Sequence, residues 1–434
     1  MHLLAQALDR TVLLMRDELR AEVGDMALID ALISTEIVLV ADRANLTSHS
    51  AQTAFVTAAL LMARSGHMVH LVAPDVALVG AQPPLPPGGI IAALLTVGQL
   101  LLPGISFSAG NPNYPIDLEL RLGDTRSLGG AKRSIALSAR RWSGQIGLVG
   151  ARWPTLHWTI GALVAAALGA GEAFKAAMWK LERFALNRAN FQSRFALNDT
   201  VEFELGPEDT AEVAHLGCFD IISAGAIANG LLYCLGRLDG VTGSGRVIDF
   251  DHGDLSNLNR NMLLLANRVR ELKVEVLTGS FRDALILQAL PVRYDDFTAA
   301  WIGALAPHVL VGVDDIATRW TVQAQWPIWL GIGATSHWSA MASFHTRNLA
   351  CARCQHPVND GLDTPIPTVA FVSFWAGLLL ATYLLRSLVA GDRHGLAQQT
   401  YITPLRPERP WRTPIARRPN CPLCLRRSRR RAIG

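Results

Sequence analysis

The run Val247-Ile-Asp-Phe-Asp-His-Gly-Asp-Leu-Ser-Asn-Leu-Asn-Arg260 decides how this chain is read. It starts as an apolar strand ending at Asp249 and continues as a polar loop carrying Asp251, Asn257, Asn259 and Arg260. An acid at the carboxyl end of a strand, about 20 residues beyond a small-residue turn, suits a ribose hydroxyl. An arginine so soon afterwards is more than a plain dinucleotide fold requires. A ribose acceptor and a cation this close together point to a site that reads a nucleotide and also handles its phosphates.

Just upstream, residues 215–222 read as a short apolar strand, 223–230 as a small-residue turn and 231–238 as helix. Strand, turn and helix in that order leave backbone N–H groups at the helix start, where phosphate binds. The G-x-G-x-x-G positions hold Ser223, Gly225 and Ala228, so only the middle glycine remains. All three are small, yet a strand-to-helix turn with no ligand accounts for the pattern equally well.

Together with the residues downstream of Arg260, the segment resembles the ThiF/MoeB/HesA adenylyltransferases, the family that includes ubiquitin-activating enzymes. Besides the Asp249-to-Arg260 run, three features carry the resemblance. Lys273 stands thirteen residues after Arg260. Val313-Asp314-Asp315-Ile-Ala-Thr-Arg319 follows an apolar strand and matches D-N-x-x-T-R, except that Asp315 replaces the asparagine. Cys351/Cys354 and Cys421/Cys424 stand at the family's zinc positions. The resemblance covers roughly residues 210–425, about half the chain.

It implies an α/β fold: a Rossmann-like adenylation domain with a mostly parallel sheet. Asp249 would hold the ribose of ATP beside the Gly225 turn, while Asn257, Arg260 and Lys273 grip the phosphates. Asp314 would ligate Mg2+, with Asp251 near the same ion and Asp315 adding negative charge beside it. Arg260, Lys273 and Asp314 form the expected catalytic set, because adenylation gathers negative charge that cations and a metal stabilise. Read alone, the acids and asparagines also suit capped turns, and Lys273 a solvated helix lysine. The family also takes an arginine from a partner subunit or domain, for which Arg140, Arg141, Arg188 and Arg194 are the candidates.

The two C-x-x-C pairs suit a closed, structural Zn2+ site, since a short spacing lets one turn supply two thiolates. A disulfide pair is the alternative, disfavoured in a chain read as cytoplasmic and bacterial. Cys218 and Cys234 read as buried packing residues. The stretch 356–368, where many relatives carry a catalytic cysteine, has no thiol, and neither Thr364 nor Thr368 is marked as an activated acceptor.

With 434 residues, half of them hydrophobic and only 18% charged, the chain can build two sizeable cores. Residues 1–195 read as a degenerate, inactive adenylation-like α/β domain. Its strands fall at 36–42 and 67–73, with a helix at 51–65 between them, but the loop 43–50 has no glycine. Residues 196–208 form the junction, 210–400 the active ThiF-type domain, and 401–434 a zinc-tethered, Arg-rich tail. Residues 2–20 read as one amphipathic helix. The apolar run 369–385 approaches the roughly 18 residues of a membrane span, but a buried helix fits the resemblance better. The tail holds ten arginines against one acid, Glu408. With aromatics at Tyr401 and Trp411 alone, that charge does not make a nucleic-acid platform; a solvated extension is expected.

The function expected is ATP-dependent adenylation of the carboxy-terminal carboxylate of a ubiquitin-like or sulfur-carrier protein. The product would pass to a partner such as a conjugating enzyme, with no membrane involved and a homodimer allowed. A peptide adenylyltransferase, a catalytically inactive scaffold and a nicotinamide dehydrogenase stay as alternatives, the last leaving Lys273 and the cysteines unexplained.

Overall fold

The computed structural model describes residues 2–112, 115–213, 215–281, 285–359, 365–389 and 395–425. Two mixed sheets with mostly parallel strands, interleaved with helices, make an α/β fold. The amino-terminal sheet contains β1 (Ile37–Val40), β2 (Val69–Val72), β3 (Phe107–Ala109), β4 (Leu118–Leu122), β5 (Ser134–Ala139), β6 (Ser143–Gly147) and β7 (Thr200–Glu204). Its order is β3-β2-β1-β4-β5-β6-β7. The carboxy-terminal sheet contains β8 (His215–Ile222), β9 (Thr242–Ile248), β10 (Leu285–Leu290), β11 (His308–Val311), β12 (Trp329–Ser336), β13 (Ser339–Thr346), β14 (Gln399–Ile402) and β15 (Trp411–Thr413). Its order, β10-β9-β8-β11-β12-β13-β14-β15, repeats the first sheet and adds one edge strand. In both, the first five strands run parallel and the sixth turns antiparallel.

Parallel strands need crossover helices, so their faces are covered and they read as continuous apolar runs; all four residues of Ile37–Val40 are buried. Among the described residues, two helices, Ile160–Trp179 and Ala370–Leu388, are long and apolar enough to cross a bilayer, and 94% of the most apolar 18-residue stretch of each is buried inside the fold. Each follows the sixth strand of its sheet. Gly377 lets Ala370–Leu388 lie almost backbone to backbone on helix Ala226–Leu235: a Cβ there would come within 2.6 Å of the Leu231 nitrogen.

Several expectations need correction. The stretch 2–20 is two short helices, His2–Ala7 and Asp9–Arg16, because the chain turns at Leu8 to wrap the core. Cys218 is exposed rather than packed, since a register shift between His215 and Cys218 breaks the in–out alternation of β8. Cys234 is buried. Within the expected junction, Thr200–Glu204 is the edge strand of the amino-terminal sheet. The tail is not a loose extension through Leu425: β14 pairs with β13, and β15 with β14. Arg426, Arg427, Arg429, Arg430, Arg431 and Thr364 lie outside the described residues.

Candidate functional site

The carboxyl ends of β8, β9 and β11 open into a cleft of about 410 Å3. This is where strand order reverses, and such crevices hold ligands in open α/β sheets. The turn leaving β8 is tight enough to force Ser223 to φ 124°, a conformation glycine adopts freely and other residues do not. The Gly225 N–H donates to Ser223 Oγ at 2.9 Å, and helix Ala226–Leu235 starts at once.

Asp249, at the end of β9, accepts from the Ala224 N–H at 2.6 Å and from the Asp251 N–H at 2.9 Å. It therefore ties the turn to the neighbouring strand end. Burial nonetheless raises its pKa, outweighing those two bonds; a hydroxyl donor arriving at its remaining lone pairs would favour the charged form. Lys273, the first residue of helix Lys273–Thr278, ion-pairs with Asp251 at 2.9 Å. Asn257 closes a capping box with Asp254, accepting from its N–H at 3.1 Å.

Arg260 donates to Asn259 Oδ1 at 2.8 Å and to the Ser256 carbonyl. Burial, reinforced by the nearby Arg10 charge, lowers its pKa to about 10, still fully cationic at neutral pH. Asp314 is exposed at the mouth of the cleft. The structure thus brings Gly225, Asp249, Asp251, Asn257, Arg260, Lys273 and Asp314 around one cavity.

Asp315 also lines the cavity but is turned to other work. It caps helix Ile316–Ala324, accepting from the Ala317 and Thr318 N–H groups and from Thr318 Oγ1 at 2.6 Å. Burial pushes its pKa up, and those three donors together hold it below the usual carboxylate range. Its carboxylate oxygens are thus occupied as helix-capping acceptors, while its negative charge stays beside Asp314. Arg319 is buried and donates twice to the Val313 carbonyl, at 3.1 and 2.7 Å, fixing the strand end that presents Asp314. Its remaining nitrogen meets His356 Nε2 at 3.2 Å.

Arg140, Arg141, Arg188 and Arg194 do not line the cleft. Arg141, Arg188 and Arg194 pair instead with Glu212, Glu182 and Glu18. The arginine that does enter from outside the carboxy-terminal sheet is Arg10, on helix Asp9–Arg16. Its neighbour Thr11 accepts from buried Asn259 at 3.0 Å, which docks that helix on the loop. No spacing rule links residues 250 positions apart. The only signal was a cation on a helix otherwise packed by its apolar face. Phe250, Arg293 and Tyr294 also line the cleft, with the Arg293 guanidinium 5.7 Å from the Phe250 ring. Phe250 and Arg293 are exposed there, a cation–aromatic pair suited to a nucleobase, while Tyr294 is buried behind them.

Against Trp320 of helix Ile316–Ala324, the Cys351, Cys354, Cys421 and Cys424 sulfurs lie within 4.8 Å of one another. The contacts 351–354, 351–421, 354–424 and 351–424 measure 3.7, 3.4, 3.8 and 3.5 Å. Tetrahedral zinc at about 2.3 Å from each thiolate requires sulfurs about 3.8 Å apart, so the donor set and its spacing fit that ion. Four sulfurs leave no open position, and bound Zn2+ would clip residues 421–424 to the fold without touching substrate.

Residues 36–193 match the family described as the BilD N-terminal domain. The uncharacterized protein y4jF of Sinorhizobium fredii (strain NBRC 101917 / NGR234) is 28% identical over 167 residues, 38% of this chain. The chain spans about a third of that relative's length, 32%. Among solved structures, E. coli MccB with MccA shares 14% identity at a TM-score of 0.39, covering 67% of this chain and 97% of that one. MccB with MccA-N7isoASN shares 15% at 0.41 over the same shares. PaaA shares 13% at 0.38, covering 46% and 64%. The chemistry rests on the cleft itself.

Proposed function

We propose that the carboxy-terminal half adenylates a carboxylate with ATP, and that the amino-terminal half has no catalytic crevice of its own but lends Arg10 to that cleft. The observation that carries this reading is the convergence of Arg10, Arg260 and Lys273 with Asp249 and Asp314 around a helix N-terminus in one cleft. Three cations are more than a nicotinamide cofactor's pyrophosphate needs. They suit a reaction in which a carboxylate attacks the α-phosphate and pyrophosphate departs, where charge stabilisation dominates.

Asp249 accepts from the ribose, Phe250 and Arg293 face the base, and Asn257, Arg260 and Lys273 hold the phosphates. Asp314 offers an exposed carboxylate oxygen, the kind of ligand Mg2+ takes alongside substrate phosphates. When bound, that ion would neutralise the departing pyrophosphate. The ion pair with Asp251 holds Lys273 in place at the cleft until nucleotide arrives.

The acyl donor we favour is the carboxy terminus of a ubiquitin-like or sulfur-carrier protein or a peptide, and the adenylate would be handed to a partner such as a conjugating enzyme. Isotope exchange between pyrophosphate and ATP tests this. Exchange should require both Mg2+ and the acyl donor, and the product should show no reductant-sensitive adduct with this chain. ATP turnover with no dependence on any protein or peptide carboxylate would overturn it.

A further inference from the structure

The loop that carries Arg260 is held from outside its own sheet. We propose that Arg64, on the amino-terminal helix His49–Arg64, is a positioning residue that sets this loop and acts on ATP through Arg260; this rests on the adenylation reading above. Arg64 is 0% exposed. It donates from Nη1 to the Leu258 carbonyl at 2.5 Å, and from Nη2 to the Met262 and Leu264 carbonyls at 3.1 and 2.8 Å. Its charge is thus answered by backbone dipoles of one loop. Those carbonyls bracket Arg260 and Asn261, both of which line the cleft.

Two other contacts reach the same loop from outside the carboxy-terminal sheet. Thr11 takes the Asn259 amide, and the Leu100 carbonyl accepts from the Ala266 N–H at 2.7 Å. A planar guanidinium fork can meet several fixed carbonyls at once, which a lysine's single ammonium cannot reproduce. Removing it would leave buried carbonyls without their donor, and the loop would shift to find others. The amino-terminal half then does more than fill an interface: it fixes where the phosphate-binding cation stands.

A built-in control separates positioning from general support. Arg237 is 1% exposed and also crosses between the halves, donating to Gln82 Oε1 at 3.0 Å and to the Pro83 carbonyl at 2.5 Å. It lies 3.3 Å over the Tyr233 ring and does not touch the 258–264 loop through any of these bonds.

The test compares full-length Arg64→Met, Arg64→Lys and Arg237→Met by melting temperature, amide hydrogen exchange and pyrophosphate exchange. Both methionine variants should lose stability. Only the Arg64 variants should exchange the amides of residues 261–264 faster. The KM for ATP should rise on the order of tenfold to a hundredfold in Arg64→Met, and less in Arg64→Lys. Arg237→Met should stay within about twofold of the parent chain. Equal loop exchange in the two methionine variants, or an unchanged KM in a folded Arg64 variant, would overturn the proposal. Should Arg64→Met not fold, Arg64→Lys bears the same comparison. If the parent chain exchanges pyrophosphate with no acyl donor, the adenylation reading fails, while the amide comparison still decides whether Arg64 sets the loop.

Discussion

The two sheets share one strand order but finish their central crevices differently. In the carboxy-terminal half, β8 leads through a three-residue turn straight into a helix, and the space in front of it is open. In the amino-terminal half, β1 leads into a longer loop, and that space is filled. Asn45, 1% exposed, donates to Asp42 and to Asp124 and accepts from the Trp153 N–H at 2.8 Å. Trp153 is 7% exposed, and its ring nitrogen donates to Ser50 Oγ at 3.1 Å.

The acids differ in the same way. Asp75, beyond β2, caps helix Ile90–Gly98 through the Ile91 N–H at 2.8 Å, whereas Asp249, beyond β9, borders the cleft. One topology therefore yields either a binding site or a solid joint. What decides is whether side chains of the chain itself, such as Asn45 and Trp153, occupy the space in front of the strand ends or leave it open.

The largest effect that would break this comparison concerns the acids beyond the fourth strand of each sheet. Asp314→Ala should cut pyrophosphate exchange on the order of a hundredfold or more, while Asp124→Ala should leave it nearly unchanged. Comparable losses from both would show that the amino-terminal crevice takes part in chemistry. Next comes Trp153→Ala, which empties the filled crevice. It should cost roughly 3 kcal/mol in chemical denaturation, as large-to-small aromatic changes do, without creating a second ATP site in calorimetry; two ATP per chain would refute the plugged-crevice reading.

The smallest effect tests whether the halves unfold together. His67 belongs to the amino-terminal half and His345 to the carboxy-terminal half, both fully buried. Burial lowers each to a pKa of about 4. Each therefore stays neutral in the fold while the unfolded chain takes up a proton near pH 6.5. Their contribution is complete above that pH and is lost as the pH falls toward 4, by up to about 1.4 kcal/mol per unit for each histidine. One thermal transition that moves as a whole indicates a single cooperative unit; two transitions would separate the halves.

Much of the carboxy-terminal half was legible because its chemistry is local. Asp249 to Arg260 is one strand end and one loop, Lys273 begins the next helix, and the Cys pairs lie within single turns. Arg10, Arg64 and Trp153 were not legible, because their roles depend on contacts hundreds of positions away or on one packed crevice. Cys218 misled for a smaller reason: a single register shift reverses which face a strand residue takes. The capping role of Asp315 was not legible either, because a helix N-terminus uses a carboxylate as readily as a metal does.

Arg10 and the cleft it enters belong to one polypeptide. A cleft completed by a second molecule loses its cation whenever the two separate, so its turnover per site falls as the enzyme is diluted. Here the cation is supplied at a concentration set by covalent connection, and the rate per molecule should stay constant at any dilution.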